Sequence, residues 1–258
     1  MGCGLGLAVL AQAILFSLLP AETAWRAMFA VGCLPALLVL FLRRFVREPE
    51  IAEHARAVDR PPIWRIFELD ILGTTVLAAL ASTGAQGGYY AITTWLPTFL
   101  RNDRQITVIS SAGYLAFLIA GSFAGYLVGA WLADRIGRRP LFLVFSAGAI
   151  AVVLAYTQLN IPNGVMLVLG FPLGFFASGY FSGMGPFLTE LFPTAMRGSG
   201  QGFCYNFGRG IGALFPTLVG YLSGVMSLAS AIAVFAVVAY AVLFGAAFAL
   251  PETRAFPF

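Results

Sequence analysis

The chain has 258 residues, of which 60% are apolar and only 10% are charged. A soluble domain carries about 25% charged residues, so this composition excludes an ordinary water-soluble globular protein. The net charge of +4 comes from arginine, since the sequence contains no lysine, and no basic face on a soluble fold points to nucleic-acid binding.

Eight apolar segments are long enough to cross a bilayer, which takes about 20 residues of helix. The third is longer than a bilayer requires, so its ends should emerge into solvent or the helix should tilt. The sequence therefore predicts an all-α integral membrane protein with about eight transmembrane helices. The predicted helices are residues 2–20, 25–42, 69–98, 109–131, 141–159, 164–188, 199–223 and 228–250.

Arginine is distributed unevenly between the loops, and this predicts the orientation of the helices. The loops on one side of the membrane carry three arginines, namely Arg26, Arg101 and Arg104, and the loops on the opposite side carry the ten given below. Basic residues concentrate in cytoplasmic loops. The side with ten arginines is therefore predicted to be cytoplasmic, together with both termini. The loops after the second, fourth and sixth helices carry Arg43, Arg44, Arg47, Arg56, Arg60, Arg65, Arg135, Arg138, Arg139 and Arg197.

One sizeable polar segment, residues 43–68, separates two predicted helices from six. It is either a linker between two bundles or a long loop, and its His54 is expected to be solvated. Cys3, Cys33 and Cys204 lie in apolar segments without metal-ligand spacing, so we expect no metal site and no cofactor.

A short charged turn joins the fourth and fifth predicted helices. It reads Gly-Ala-Trp-Leu-Ala-Asp-Arg-Ile-Gly-Arg-Arg-Pro over residues 129–140. Gly137 permits a tight backbone, and Asp134 can pair with an arginine or cap a neighbouring helix. Such a turn could latch two helices together and release them when they rock. It could equally be an anchor that fixes topology, and the residues alone leave both open.

This turn resembles the charged loop of the major facilitator superfamily, with one departure. The motif's first glycine corresponds to Ala130, and Gly129 stands one place earlier. Residues 189–198 are similar to the Glu-x-x-Pro-x-x-x-Arg loop after the family's tenth helix, and residues 250–254 resemble its Pro-Glu-Thr ending. The resemblance implies a cytoplasmic gate formed by Asp134, Arg135, Gly137, Arg138, Arg139, Glu190 and Arg197.

The resemblance also implies how the chain is organised. By order, the eight helices correspond to helices five to twelve of twelve, so the first four would be missing. Residues 1–43 would be the last two helices of the N-terminal bundle and residues 44–68 the cytoplasmic linker. Residues 69–251 would form a complete six-helix C-terminal bundle, followed by a cytoplasmic tail, 252–258. Family members bind substrate between the bundles at the midplane.

Arg209 is the most informative residue for the substrate. It lies about ten residues into its predicted helix, hence about 15 Å deep, where an arginine costs about 3 kcal/mol. Every acidic residue is predicted to lie in a loop or near a helix end. Arg209 is therefore compensated either by an anionic substrate or by a carboxylate or carbonyl groups elsewhere, and both remain open.

Polar residues at helical spacing accompany Arg209. Gly202, Asn206, Arg209 and Ala213 share one face at spacings of three and four. Gln86, one of two adjacent tyrosines, and Thr93 form a second such face on the third helix. By contrast, the fourfold repeat Gly121, Gly125 and Gly129 predicts a packing seam. The candidate substrate-binding residues are Arg209, Asn206, Gln86, Tyr89, Tyr90, Thr93 and Tyr205.

The region around Arg209 resembles bacterial organic-acid symporters of the superfamily, such as the sialate and lactate group. We therefore expect a secondary active transporter of a small organic anion in a bacterial inner membrane, with protons as the candidate coupling ion. A sugar or neutral-metabolite porter is the alternative, although the Gln-x-x-Gly-x-Asn pattern of sugar porters is absent. A truncated fragment without transport is another. No hydrolase or zinc-enzyme motif is present, so an enzyme is not expected.

Overall fold

The computed structural model describes residues 11, 14–15, 17–33, 39, 61–105 and 108–253. Most of the predicted helix 2–20 lies outside these residues, as do residues 34–38 and 40–42 of the predicted helix 25–42. Cys3, His54 and residues 44–60 of segment 44–68 also lie outside them. The chain divides into two units, Met1–Asp59 and Arg60–Phe258.

In the first unit, helix α1 spans Ala21–Gly32. It begins directly after Pro20, whose carbonyl accepts the amide and hydroxyl of Thr23. The rings of Trp25 and Phe29 meet edge to face at 6.1 Å, and the guanidinium of Arg26 lies 5.1 Å from the Trp25 ring. The helix therefore starts four residues earlier than the apolar segment predicted at 25–42.

The described part of the second unit contains helices joined by short loops and no strand, which confirms the predicted fold class. Short 3-10 turns, Ile63–Phe67 and Thr194–Met196, precede α2 and α7 respectively. The helices are α2 Leu69–Asn102, α3 Val108–Ile136, α4 Arg138–Gln158, α5 Asn163–Ser178, α6 Phe181–Glu190, α7 Arg197–Gly212, α8 Phe215–Leu222 and α9 Leu228–Ala249.

Two segments predicted as single helices are each broken in the middle. Segment 199–223 breaks between α7 and α8 because Pro216 has no N–H to donate to Gly212, the last residue of α7. Segment 164–188 breaks between α5 and α6. There the amide of Ser182, at 3.2 Å, and its hydroxyl, at 2.7 Å, both donate to the carbonyl of Gly179, and this local bonding competes with the helix.

Four helical segments of the described residues are long and apolar enough to cross a membrane: Gly113–Ile136, Arg138–Gln158, Asn163–Glu190 and Leu228–Ala249. Helix α2 has 34 residues and spans about 50 Å, but it carries more polar residues than these four. Neither α2 nor α7, which carry the predicted substrate residues, is among these four segments.

The second unit is held together by extensive contacts between neighbouring helices. Helix α2 packs between α7 and α9, α9 packs on α4, and α3 packs on α5. Large aromatic side chains fill the interior, and they come from α2, α4, α6 and α9 and from the residues just after α5 and α6. The largest fully buried ones are Tyr156, Tyr180, Tyr240, Phe99, Phe142, Phe145, Phe187 and Phe192.

The predicted glycine seam on α3 is formed as expected. Gly121, Gly125 and Gly129 each lie against a backbone carbonyl in or just after α5. A Cβ added at Gly125 would stand 2.5 Å from the carbonyl oxygen of Phe175. Only glycine permits this approach, so the repeat sets the close contact of α3 with α5.

Candidate functional site

Helix α7 has one face of small residues, which packs on α2. Cys204, Gly208 and Gly212 are buried there. A Cβ at Gly208 would stand 2.5 Å from the carbonyl carbon of Ser82, and one at Gly212 would stand 2.8 Å from Cβ of Gln86. Because Gly208 and Gly212 have no side chains, α7 can approach α2 closely. This contact also fixes the rotation of α7 about its axis, so that its opposite face points away from α2.

The opposite face of α7 is the polar face predicted from the spacing of Gly202, Asn206, Arg209 and Ala213. Asn206, Arg209 and Ala213 are exposed within the second unit. A Cβ at Gly202 would meet no atom of the described residues within 4 Å. The side-chain amide of Asn206 donates to the carbonyl of Gly202 at 2.8 Å. The polar face is therefore formed and left uncovered by the helices of its own unit.

Arg209 lies twelve residues after Arg197, where α7 begins, hence about 18 Å along the helix. It stands in the last turn of α7, where the partial negative charge of the helix end favours a cation. Across the ranges 61–105 and 108–253, its guanidinium forms no hydrogen bond and no ion pair. The helix end therefore compensates Arg209 only in part, and five N–H donors stay available to an anion.

Two of the predicted tyrosines lie on α7 and α2. Tyr205 precedes Arg209 by one turn of α7 and is half-buried, as is Tyr89 on α2. The ring of Tyr89 meets Phe181 of α6 edge to face at 5.6 Å.

The other predicted residues of α2 are placed differently. Gln86 is only 2% exposed and lies in the contact with α7, opposite Gly212. The hydroxyl of Thr93 donates to the carbonyl of Tyr89 at 2.8 Å. Tyr90 is half-buried, with its ring 5.9 Å from that of Tyr89. Gln86 therefore belongs to the packing of two helices rather than to the open face.

A second group of functional candidates lies at the turn between α3 and α4. The side chain of Arg138 is only 15% exposed. Its Nη1 donates to Oδ1 of Asp134 and to the carbonyl of Ala133, each at 2.8 Å, and its Nη2 donates to Oε1 of Glu190 at 3.4 Å. Arg138 thus joins the α3–α4 turn to the end of α6.

Glu252 and Thr253, which follow α9, complete this charged network. The carboxylate of Glu252 accepts hydrogen bonds from the first backbone amides of α4, and the hydroxyl of Thr253 donates to Oε2 of Glu190 at 2.5 Å. Gly137 has a φ of 106°, a conformation that favours glycine. The carboxylate that caps the neighbouring helix is therefore that of Glu252, whereas Asp134 forms the arginine pair. We refer to Asp134, Arg138, Glu190, Glu252 and Thr253 as the charged network.

The remaining arginines of the predicted gate make other contacts. Arg135 lies 5.3 Å over the ring of Trp131. Arg139 donates from Nη2 to the carbonyl of Phe248 at 2.5 Å and lies 5.1 Å from that ring. Nε of Arg197 donates to the carbonyl of Phe192 at 3.3 Å. Of the seven predicted gate residues, three contribute side chains to the charged network, namely Asp134, Arg138 and Glu190.

The sequence matches the profile of the Major Facilitator Superfamily over residues 1–164 and again over residues 115–257. It is 42% identical to a protein of Cupriavidus pinatubonensis named "Probable 4-methylmuconolactone transporter", over 97% of this chain and 59% of that protein. It is 35% identical to a protein of Haemophilus influenzae named as a metabolite transport protein, over 95% of this chain and 63% of that one.

A third relative is the cis,cis-muconate transport protein of Acinetobacter baylyi, at 25% identity over 77% of this chain and 50% of that protein. The chain thus spans between half and two thirds of the length of these relatives. All three names denote transport rather than enzymatic activity.

Proposed function

The chain belongs to the major facilitator superfamily of membrane proteins, and we propose that its protein is a secondary active transporter of a small organic anion. In this proposal the solute binds at the uncovered polar face of α7, between two helical bundles that rock about it. The guanidinium of Arg209 binds the carboxylate, with Asn206 beside it.

The observation that carries this proposal is the position of Arg209. It lies about 18 Å along α7, on an open face, and none of the described side chains pairs with it. A bidentate contact between guanidinium and carboxylate is among the strongest polar contacts available to a protein. An organic anion bound here would supply the negative charge that pairs with Arg209, which the side chains of the described helices do not supply.

The names of two relatives agree with a small organic acid or its lactone as solute, since they name muconate and 4-methylmuconolactone. Uptake of an anion into a cell works against the membrane potential, at about 2.3 kcal/mol per charge and 100 mV. We therefore include proton symport in the proposal, because a co-transported proton cancels that charge.

The charged network has a mechanical role in this proposal. It connects the ends of α3, α4 and α6 to the residues after α9. The side chains of Arg138, Glu190 and Thr253 are shielded from water, whereas that of Asp134 is exposed. These helices would then move as one body when the two bundles rock. We propose that this end is cytoplasmic, as are both termini, in a bacterial inner membrane. We further propose that residues 1–43 form part of the first bundle and that residues 44–68 form the linker. Residues 69–251 then form the second bundle, and residues 252–258 form the tail.

The test is uptake of radiolabelled carboxylates by cells expressing the protein from its complete gene. We expect Arg209→Ala to abolish uptake, and Arg209→Lys to retain part of it because the charge remains. Arg65→Ala is the matched control, since it removes one arginine that is half exposed and, among the described residues, pairs with nearby Glu68. An uncoupler that collapses the proton gradient should stop accumulation.

Undiminished carboxylate uptake by Arg209→Ala at normal expression would reject Arg209 as the anion-binding residue. Uptake of neutral sugars, with no response to any carboxylate, would replace the organic-anion proposal with a sugar-porter function.

A further inference from the structure

The short 3-10 turn Ile63–Phe67, which precedes α2, has no part in the proposed function and carries three exposed apolar side chains. Ile63 is 62% exposed, Trp64 68% and Phe67 47%. Neighbouring exposed apolar side chains that are rimmed by polar residues mark sites of interaction with proteins or membranes. The position of this turn relative to the membrane-spanning helices decides between the two.

The chain folds back on itself between this turn and α2. The hydroxyl of Thr75 donates to the carbonyl of Ile66 at 2.6 Å, and Ile66 is buried. The ring of Phe67 meets that of Phe203 on α7 edge to face at 5.0 Å. Thr75 stands six residues inside α2, and Phe203 stands six residues inside α7. The turn therefore lies alongside the first two turns of both helices rather than beyond their ends.

Helix α9 provides a reference for depth in the bilayer. Its 22 residues span about 33 Å, close to the thickness of the hydrocarbon core, so α9 ends near the edge of that core. Glu252, just after α9, caps α4, and few residues join α2 to α3 and α3 to α4. The end of α9 therefore lies on the same side of the membrane as the start of α2.

The contact between α2 and α9 places the 3-10 turn on this scale. Gly84 of α2 lies against the backbone carbonyl of Ala239, ten residues before the end of α9. Thr75 lies nine residues nearer the start of α2. Because each helix rises by about 1.5 Å per residue, Thr75 is at the depth of the last turn of α9. The 3-10 turn, which is bonded to Thr75, is therefore at the edge of the hydrocarbon core.

The turn also lies on the side of α7 that is turned away from α6. Gln201 of α7 and Thr189 of α6 form a hydrogen bond through their side chains at 2.8 Å. Phe203, which packs on the turn, follows Gln201 by two residues and hence lies about 200° round the helix from it. The exposed side chains of the turn are therefore separated from the space between α6 and α7.

We propose that Ile63, Trp64 and Phe67, here named the surface anchor, insert into the lipid bilayer at the boundary between acyl chains and headgroups. In a 3-10 turn, side chains three residues apart share one side. Trp64 and Phe67 thus form an apolar row, whereas Arg65 pairs with Glu68 at 3.5 Å and forms a charged row. The boundary suits both rows, because tryptophan prefers it and charged side chains stay hydrated there. The chain that enters α2 is thereby held on the membrane surface, whichever solute is carried.

The fluorescence of Trp64 tests this inference. Protein from the complete gene is reconstituted into vesicles of phosphatidylethanolamine and phosphatidylglycerol, and the emission of the Trp64→Phe variant is subtracted to isolate Trp64. Some acyl chains carry bromine, which quenches tryptophan on contact, either near the headgroup or near the chain end. We expect bromine near the headgroup to remove most of the Trp64 emission. Bromine at the chain end should remove less, and iodide in the water should remove little.

A second variant tests the contact that sets the depth. Thr75→Val removes the hydrogen bond that folds the turn back while it keeps the size of the side chain. We expect Trp64 to move toward water, so iodide should quench it more and brominated lipid should quench it less. Thr83→Val is the matched control, because the hydroxyl of Thr83 bonds within α2, to the carbonyl of Ala79 at 2.8 Å, and both kinds of quenching should stay unchanged.

Each contrary outcome has a distinct meaning. Quenching of Trp64 by iodide but not by brominated lipid would overturn the surface anchor and place the turn in water. Emission that resists both quenchers would overturn it as well, because a protein surface would then cover Trp64. Stronger quenching at the chain end than near the headgroup would overturn the placement at the boundary. Equal quenching in the Thr75→Val protein and its parent would overturn the role of that hydrogen bond in holding the turn there.

Discussion

The carboxylate of Glu252 accepts a hydrogen bond from the backbone amide of Arg138 at 2.9 Å, although 114 residues separate the two in the chain. Its second oxygen accepts the amide of Arg139 at 3.0 Å. The first amides of a helix have no acceptor within the helix, and its N-terminus carries a partial positive charge. Gly137 occupies the N-cap position of α4 but has no side chain to accept these amides. Glu252, which lies far away in the sequence, therefore caps the helix instead.

Loss of this cap should lower stability. We expect Glu252→Ala to reduce the free energy of unfolding by about 1–2 kcal/mol, which lowers the melting temperature by about 2–8 °C for a protein of this size. Thermal unfolding in detergent measures it. Glu68→Ala is the control, since within the described part of the chain the carboxylate of Glu68 forms only an exposed pair with Arg65 at 3.5 Å. Equal melting temperatures for both variants would contradict the capping role.

Gly137→Ala should be destabilising for two separable reasons. A residue with a side chain is strained at a φ of 106°, at about 1–2 kcal/mol. The added Cβ would also stand 2.5 Å from Oε2 of Glu252. In a Glu252→Ala background only the strain remains, so the two substitutions should not be additive.

Melting of the two single variants and the double variant measures this coupling. Gly245→Ala is the control, because its Cβ would meet nothing within 4 Å among the described residues, and it should be neutral or stabilising. Simple additivity would mean that the Cβ does not displace Glu252.

Gln86→Leu should raise the melting temperature. Nε2 of Gln86 is buried between α2 and α7 and has no hydrogen-bond partner among the described residues. Removing a buried unsatisfied amide while keeping the side-chain volume should stabilise the protein by about 1 kcal/mol. Gln86→Ala, which leaves a cavity, should lower stability instead. A lower melting temperature for the leucine variant would show that the amide is satisfied in the membrane.

Trp95→Phe should loosen α8. The indole N–H of Trp95 donates to the carbonyl of Pro216 at 2.8 Å and connects α2 to the start of α8. Phenylalanine leaves that carbonyl unpaired, at about 1–3 kcal/mol. Hydrogen exchange read by mass spectrometry should speed up in residues 215–222. The same replacement at Trp64, which is 68% exposed, should not change it, and identical exchange in both variants would argue against this link.

Apolar length was sufficient to predict most of the helices. The segment predicted at 228–250 is α9, Leu228–Ala249, almost without change. The break between α7 and α8 was missed because the mean hydropathy of a segment does not change when a single residue lacks an N–H. The sequence does contain the signal, which is Pro216. Proline cannot donate a hydrogen bond to the carbonyl four residues earlier, here that of Gly212. The break at Gly179 depends on a side-chain hydroxyl and had no comparable signal.

The site was predictable where it follows from the spacing on a single helix. The polar face of α7 repeats at three and four residues, so one helix suffices to define it. The charged network was recognised only as separate motifs, because the contact of Glu252 with α4 is made by tertiary folding.

The distance in sequence between Glu252 and Arg138 also sets an order of events during synthesis. At about 5–20 residues per second, Glu252 is made roughly 6–23 seconds after Arg138, which lies 114 residues earlier. Helix α4 must therefore enter the membrane before Glu252 can cap its first amides. The charged network at the α3–α4 turn can form only after α9 and the residues that follow it have been synthesised. Closing this end is thus a late step of biogenesis, and a nascent protein stalled before Glu252 should present it to proteases or chaperones.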